Sequence, residues 1–141
     1  MRSGLGFPKE KCMAISNGVD WSKFESVPRL EWSKRLPQVI MASRFAKQKD
    51  QPTLIQAMRI LKAQQVQTKL SLAGLGKTRL LQQSQKVSVE LGLTEQIEFL
   101  GHVANMPELL AKHQIFVLST HYEGMPLALI EAMASGCACI G

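Results

Sequence analysis

Two carboxylates eight residues apart, Glu123 and Glu131, frame the run Glu-Gly-Met-Pro-Leu-Ala-Leu-Ile-Glu-Ala-Met-Ala-Ser-Gly. From Leu127 to Ala134 every residue except Glu131 is apolar, so the stretch predicts a helix that is hydrophobic nearly all round and buried. An ionised carboxylate in such a helix is costly unless it is paired or accepts hydrogen bonds. The vicinal hydroxyls of a ribose offer two donors that one carboxylate can accept together. At the start of the same helix, the amides around Gly124, Met125 and Leu127 would favour a diphosphate. Pro126 has no N–H to lose in a first turn, and glycine at 124 lets a ligand approach the backbone. Glu123, just outside the helix, is placed to accept hydroxyls of a hexose. Spacing alone leaves a second reading equally open: Glu131 pairs with a nearby Lys or Arg, and Glu123 is a solvated loop charge.

Arg44 and Lys49 follow an apolar segment ending at Ser43 and lie five residues apart. Together they can grip one diphosphate, the arginine with a planar fork and the lysine as a point charge. Taken alone, basic residues on a loop are more often simply solvated. A third candidate, Gly74-Leu75-Gly76-Lys77-Thr78, invites a phosphate-loop reading and fails it. The glycine required five positions before Gly-Lys-Thr is replaced by Ser71, and no aspartate ends the segment 115–119 to hold magnesium. Arg79 occupies the third glycine position of the dinucleotide fingerprint, so that reading fails as well. The run is read as a tight turn into a helix, with the amides at Gly74 near a ligand.

These residues need a scaffold that brings separate loops together. Apolar runs alternate with amphipathic stretches, the pattern of a parallel sheet covered by helices. Strands are predicted at 12–15, 38–43, 69–73, 96–100, 115–119 and 137–140. Helices are predicted at 51–64, 78–91, 106–112 and 127–135, with Pro52 near the first start, Asn105 as a cap, and Gly92 and Gly136 as stops. Residues 20–36 read as loop with a helical turn. The fold class is therefore α/β, a Rossmann-like parallel sheet with helices on both faces. Ligands of such sheets sit outside the carboxyl ends of the strands, where these loops lie.

The chain has 141 residues, 45% of them apolar and 20% charged, which suits one globular domain. No apolar run approaches the ~20 residues of a membrane helix. Arg2 is followed by Ser-Gly-Leu-Gly rather than an apolar leader segment, so a cytoplasmic location is expected. Cys12, Cys137 and Cys139 are too few for a disulfide framework, and His102, His113 and His121 show no zinc spacing with them. Cys137 and Cys139 would share one face of a strand and read as core packing. The net charge of +6 suits a phosphate-bearing ligand. With no Lys/Arg-rich block and eight aromatics that do not interleave with basic residues, nucleic acid is not an expected partner.

Ser-x-x-x-Glu-Gly-Met-Pro-Leu-Ala-Leu-Ile-Glu-Ala-Met-Ala-Ser-Gly (119–136) resembles the Glu-x7-Glu signature of the retaining glycosyltransferases of family 4, also called group 1, which have the GT-B fold. Further pieces fall in that family's order: Asn17-Gly18-Val19-Asp20, Ser43-Arg44-Phe45-Ala46-Lys47-Gln48-Lys49, Ala73-Gly74-Leu75-Gly76 and Phe99-Leu100-Gly101. Ser43 replaces a usual glycine and Ser16 a common proline, and the turn at 74–76 lacks the acidic residue often found there. The resemblance covers roughly residues 10 to 141 and implies a role for each site residue. Arg44 and Lys49 hold the donor diphosphate, Glu131 the ribose and Glu123 the transferred sugar, with the backbone of Gly124, Met125, Pro126 and Leu127 beside it.

The reaction it implies is hexose transfer from a nucleotide-diphosphate sugar to a glycan or lipid-linked glycan, with retention and without metal or other cofactor. Surface polysaccharide or lipopolysaccharide synthesis is the expected setting, with peripheral contact at the inner face of the membrane in the intact enzyme. The resemblance also implies that residues 1–141 form the donor domain, without the N-terminal acceptor domain and the last C-terminal elements. Such a fragment is expected to bind donor weakly and to transfer little or nothing. A non-catalytic nucleotide-sugar-binding module, or another GT-B enzyme such as a sugar-nucleotide epimerase, is the alternative.

Overall fold

Short runs of Val, Ile, Leu and Met, apolar at consecutive positions, can be satisfied only in strands covered on both faces. In the computed structural model, which describes Pro8, residues 11–28 and residues 30–141, five segments pair in parallel. These are β1 (Leu36–Ala42), β2 (Leu70–Ala73), β3 (Ile97–Gly101), β4 (His113–Val117) and β5 (Ala138–Ile140), in the order β3-β2-β1-β4-β5. Val39 to Ala42 of β1 and all of β2 are buried.

The helices are α1 (Ser22–Glu25), α2 (Gln51–Ala63), α3 (Thr78–Glu90), α4 (Met106–Lys112) and α5 (Leu127–Ala134), with 3-10 turns at Trp32–Lys34 and Lys47–Lys49. Strand order runs one way through β2 and β3 and the other way through β4 and β5. With right-handed crossovers, α2 and α3 therefore cover one face, and α4 and α5 the other. The contacts of α2 with α3 and of α4 with α5 agree. The order reverses between β1 and β4, and a crevice must open there, at the carboxyl edge.

Local chemistry sets the helix ends. Asp50, with φ 45° and ψ 47°, accepts from Thr53 N and Thr53 Oγ1 at the start of α2. Asn105 caps α4 through Glu108 N. Gly92 and Gly136, with φ +64° and +76°, follow the ends of α3 and α5. The core lies where Ile40, Met41, Leu70, Leu72 and Phe116 of the sheet meet Ile55 and Met58 of α2 and Leu110 of α4. Each such side chain contributes about 1.5–3 kcal/mol by burial.

Two expectations are corrected. No strand forms at 12–15: these residues are exposed, with Met13 and Ile15 both 81% accessible. An isolated four-residue apolar run has no partner strand to complete its hydrogen bonds. Nor is α5 buried all round, since Leu127 is 45% and Met133 63% exposed. Its apolar periodicity shows what the helix can bury. It packs on α4 and β5, the edge strand of the sheet among the described residues, and of its residues only Ala132 and Ala134 are buried. Smaller shifts concern β1 and β4, which begin two residues earlier than the apolar runs suggest. The cysteine reading holds. Cys137 and Cys139 are half-buried against the core, and burial pushes the Cys137 thiol up to about 11.

His113 opens β4, enclosed between Leu109 O at 2.8 Å and Ser71 Oγ at 3.4 Å. Burial holds its pKa below the ordinary 6.5 and outweighs the pull of Glu98. The folded chain favours the neutral ring, so the unfolded chain binds the extra proton. Its contribution is complete above pH 6.5 and is lost as pH falls through the depressed value. Urea unfolding at a series of pH values should therefore show a shallower loss of stability below neutrality for His113→Gln than for wild type.

Candidate functional site

The loop after β1 is held in place by the loop after β2. Ser43 N donates to Ala73 O at 2.9 Å, Phe45 N to Leu75 O at 2.9 Å, and Lys77 N to Phe45 O at 3.3 Å. Gly74 and Gly76 permit this approach. A Cβ at Gly74, whose φ is +133°, would lie 2.2 Å from Ser43 O, and one at Gly76 would lie 2.5 Å from Phe45 N and O. The glycine turn thus serves contact between backbones. Phe45 is buried and its ring stacks on Phe99 at 6.2 Å. From α2, buried Gln51 donates through Nε2 to Arg44 O at 2.9 Å and Ser43 Oγ at 3.1 Å, fixing the backbone that carries Arg44.

The loop after β4 is strapped across the crevice to the same segment. Ser119 Oγ lies 3.1 Å from both Lys49 O and Asp50 O. Thr120 Oγ1 donates to Gln48 O at 2.9 Å and His121 N to the same oxygen at 2.8 Å. His121 Nε2 stands 3.2 Å from Asp50 Oδ2. At the centre, Lys49 Nζ pairs with Glu123 Oε1, and their side chains are only 13% and 19% exposed. Such shielding makes the pair stronger than an exposed one and makes removal of either partner costly. From the other side, Asn17 Nδ2 donates to Met125 O at 3.1 Å, tying the Asn-Gly-Val-Asp loop to the residues before α5.

Of the predicted residues, the structure therefore joins Lys49 with Glu123, and Glu123 is not a solvated loop charge. Arg44 lies on the same loop as Lys49, but its side chain is exposed and no contact links it to the pair. Gly74 supports Arg44 through Ser43. Gly124 is exposed, with open space where a Cβ would stand, and Met125 and Leu127 are exposed around it. Pro126 is the N-cap of α5 rather than its first residue, with φ −74° and ψ 111°, and no side chain caps that helix start.

Glu131 is half-buried in the second turn of α5. Burial raises its pKa above the ordinary 4.5, partly offset by Lys23. Among the described residues no ion pair within 4.0 Å engages its carboxylate. Glu123 thus has a cation in contact, whereas Glu131 is partly desolvated and has none within ion-pair distance among the described residues. Among the described residues no group of three His, Cys, Asp or Glu side chains gathers as metal ligands would.

Three contributors escaped the sequence reading, Gln51, Thr120 and Arg35, and Ser119 entered it only as the first residue of the signature run. Arg35, buried beside Trp32, donates through Nη1 to Ser135 O and Gly136 O, both at 2.9 Å, and so closes the carboxyl end of α5. The only local signal was an arginine in a mixed segment, which identifies no partner a hundred residues away.

A family model described as Glycosyl transferases group 1 matches residues 22–141. The chain belongs to the group 1 glycosyltransferases. It is 29% identical over 132 residues to the capsular polysaccharide biosynthesis glycosyltransferase CapH of Staphylococcus aureus, spanning 93% of this chain and 36% of that one. Its fold matches Alr3699/HepE of Anabaena, a structure containing UDP and glucose, with TM-score 0.80 and 22% identity over 95% of this chain and 39% of the other. It also matches the C-terminal domain of the group 1 family protein LpcC of Francisella tularensis, with TM-score 0.69 and 27% identity over 86% of this chain and 69% of that one. This group 1 chain thus spans little more than a third of the length of CapH. No helix among its described residues is long and apolar enough to cross a membrane.

Three substitutions test this scaffold. Gly74→Ala should cost well over the ~1 kcal/mol of an ordinary glycine change, because carbonyl and Cβ cannot share the space. Gly124→Ala should leave stability within about 0.5 kcal/mol of wild type. Gln51→Ala should cost roughly 1–3 kcal/mol by stranding Arg44 O and Ser43 Oγ. Urea denaturation measures all three.

Proposed function

We propose that this chain is the nucleotide-sugar-binding domain of a retaining glycosyltransferase that moves a hexose from a nucleotide-diphosphate donor to a glycan or lipid-linked glycan. The observation that carries the reading is the Lys49–Glu123 pair across the strand-order reversal of a group 1 chain. A cation and a carboxylate held in contact suit the two sides of a sugar–phosphate bond. Lys49 faces the departing diphosphate, and Glu123 accepts hydroxyls of the sugar. Arg44, exposed on the same loop, adds a fork to the diphosphate as it arrives, and the uncapped start of α5 adds its amides. Positive groups fixed in place before reaction stabilise the charge that develops as the sugar–phosphate bond breaks. On this reading the cations do the work of a metal, and no cofactor takes part.

Glu131 fits the ribose. Two hydroxyl donors would relieve a carboxylate that burial now disfavours. Synthesis of a surface polysaccharide, in the cytoplasm at the inner face of the membrane, is the setting we assign, supported by the likeness to CapH. The acceptor half of the enzyme lies outside these residues on this reading, so residues 1–141 alone bind donor and transfer little.

Titration calorimetry with UDP-, GDP- and ADP-glucose tests the assignment. One nucleotide sugar should bind, and Lys49→Ala should weaken it about tenfold or more, the scale of a lost charge-assisted contact. Absence of binding by all three, or indifference to Lys49→Ala, would sink the reading. Ribose hydroxyls favour the ionised form of Glu131, so donor affinity should fall as pH is lowered through its raised pKa. Glu131→Gln should remove that dependence.

A further inference from the structure

Glu123 depends on two donors. Its Oε1 receives Lys49 Nζ and stands 3.2 Å from Thr120 Oγ1, and among the described residues no other hydrogen bond or ion pair engages its carboxylate. Thr120 brings a single hydroxyl proton, which also faces Gln48 O at 2.9 Å and Tyr122 O at 3.2 Å. Lys49 is equally short of alternatives. Glu123 is its one ion-pair partner among the described residues, and the adjacent acid, Asp50, is engaged by Thr53 and His121. Both side chains are shielded, so water replaces a lost partner poorly.

In the proposed function these two residues face the two halves of a donor, Lys49 the diphosphate and Glu123 the sugar. A diphosphate must therefore draw on a cation that the carboxylate already holds. The consequence for Glu123 differs between ligands. A bare nucleoside diphosphate takes the ammonium and offers Glu123 nothing, leaving a shielded carboxylate with a share of one hydroxyl proton. A nucleotide sugar takes the ammonium and supplies hydroxyl donors in its place. Removing one partner of a shielded pair is costly because the other charge stays behind unpaired. The loops need not move for this exchange, since Ser119, Thr120 and His121 fasten their backbone independently of the pair. It is confined to side chains.

We propose that Glu123 is a specificity-determining residue that competes with the diphosphate for Lys49, so that the site favours the sugar-bearing donor over the bare nucleoside diphosphate. This rests on the donor reading and gives Glu123 a second part in it. Once the sugar has left with the acceptor, Glu123 reclaims Lys49, and the nucleoside diphosphate loses that cation and is released. Arg44, which no ion pair engages among the described residues, grips the diphosphate of either ligand and supplies no such discrimination.

The test is calorimetric titration of the 141-residue chain with UDP, GDP and ADP and with their glucose esters. For the nucleotide that binds, wild type should hold the glucose ester about tenfold or more tighter than the bare form. Glu123→Gln frees Lys49, so it should tighten the bare form about tenfold and erase the preference for the ester. Lys49→Gln removes the cation yet keeps a donor beside Glu123. Adding Glu123→Gln to it should change affinity for the bare form by less than about twofold. Urea transitions verify that each variant is folded, and if Lys49→Gln is not, wild type and Glu123→Gln still decide through their preference. Equal affinity of wild type for both forms, or a bare form indifferent to Glu123→Gln, overturns the proposal and leaves the donor reading standing. So does an equal gain with and without Lys49, which is plain repulsion between carboxylate and diphosphate. Failure of every one of these ligands to bind overturns the donor reading, and the competition with it.

Discussion

Lys49 and Glu123 come from loops after two strands that are adjacent in the sheet and far apart in the chain. Between those strands the order of the sheet reverses, so helices leave toward opposite faces and a gap opens at the carboxyl edge. A gap of that kind would let the two loops drift. The ion pair closes it at one point, and the hydroxyls of Ser119 and Thr120 with the amide of His121 fasten the same segment through its carbonyls. Everything offered to a ligand at this edge is positioned relative to that junction.

The backbone beneath the junction is arranged to hold it still. Two glycines let the loop after β2 lie against the loop after β1 at a distance no side chain allows, and Gln51 ties that loop to α2. Arg35 plays the corresponding part at the far end of α5, satisfying carbonyls that a helix terminus otherwise leaves open. Rigid support of this kind keeps the charges at the junction fixed, so that they need not reorganise when a charged group arrives.

The two carboxylates of the signature run differ in state although they differ little in local sequence. Glu123 has a cation in contact. Glu131, two turns on, is desolvated without one, and its proton affinity rises accordingly.

Much of this was legible in the residues. Alternating apolar and amphipathic runs determined an α/β parallel sheet, because strand and helix periods are properties of local chain geometry. Pro52, Asn105, Gly92 and Gly136 marked helix ends through chemistry that acts within a few residues. The ordered motifs around Arg44, Lys49, Glu123 and Glu131 identified the family. Tertiary structure alone decided what depends on distant neighbours. It rejected a strand at 12–15 for want of a partner, and it left one side of α5 uncovered, because hydrophobicity is intrinsic to a helix and burial is not. It chose the pairing of Lys49 with Glu123 over solvation, and it gave Gln51, Ser119 and Arg35 their roles. Each of those contacts joins residues whose separation in the chain carries no trace of their separation in space.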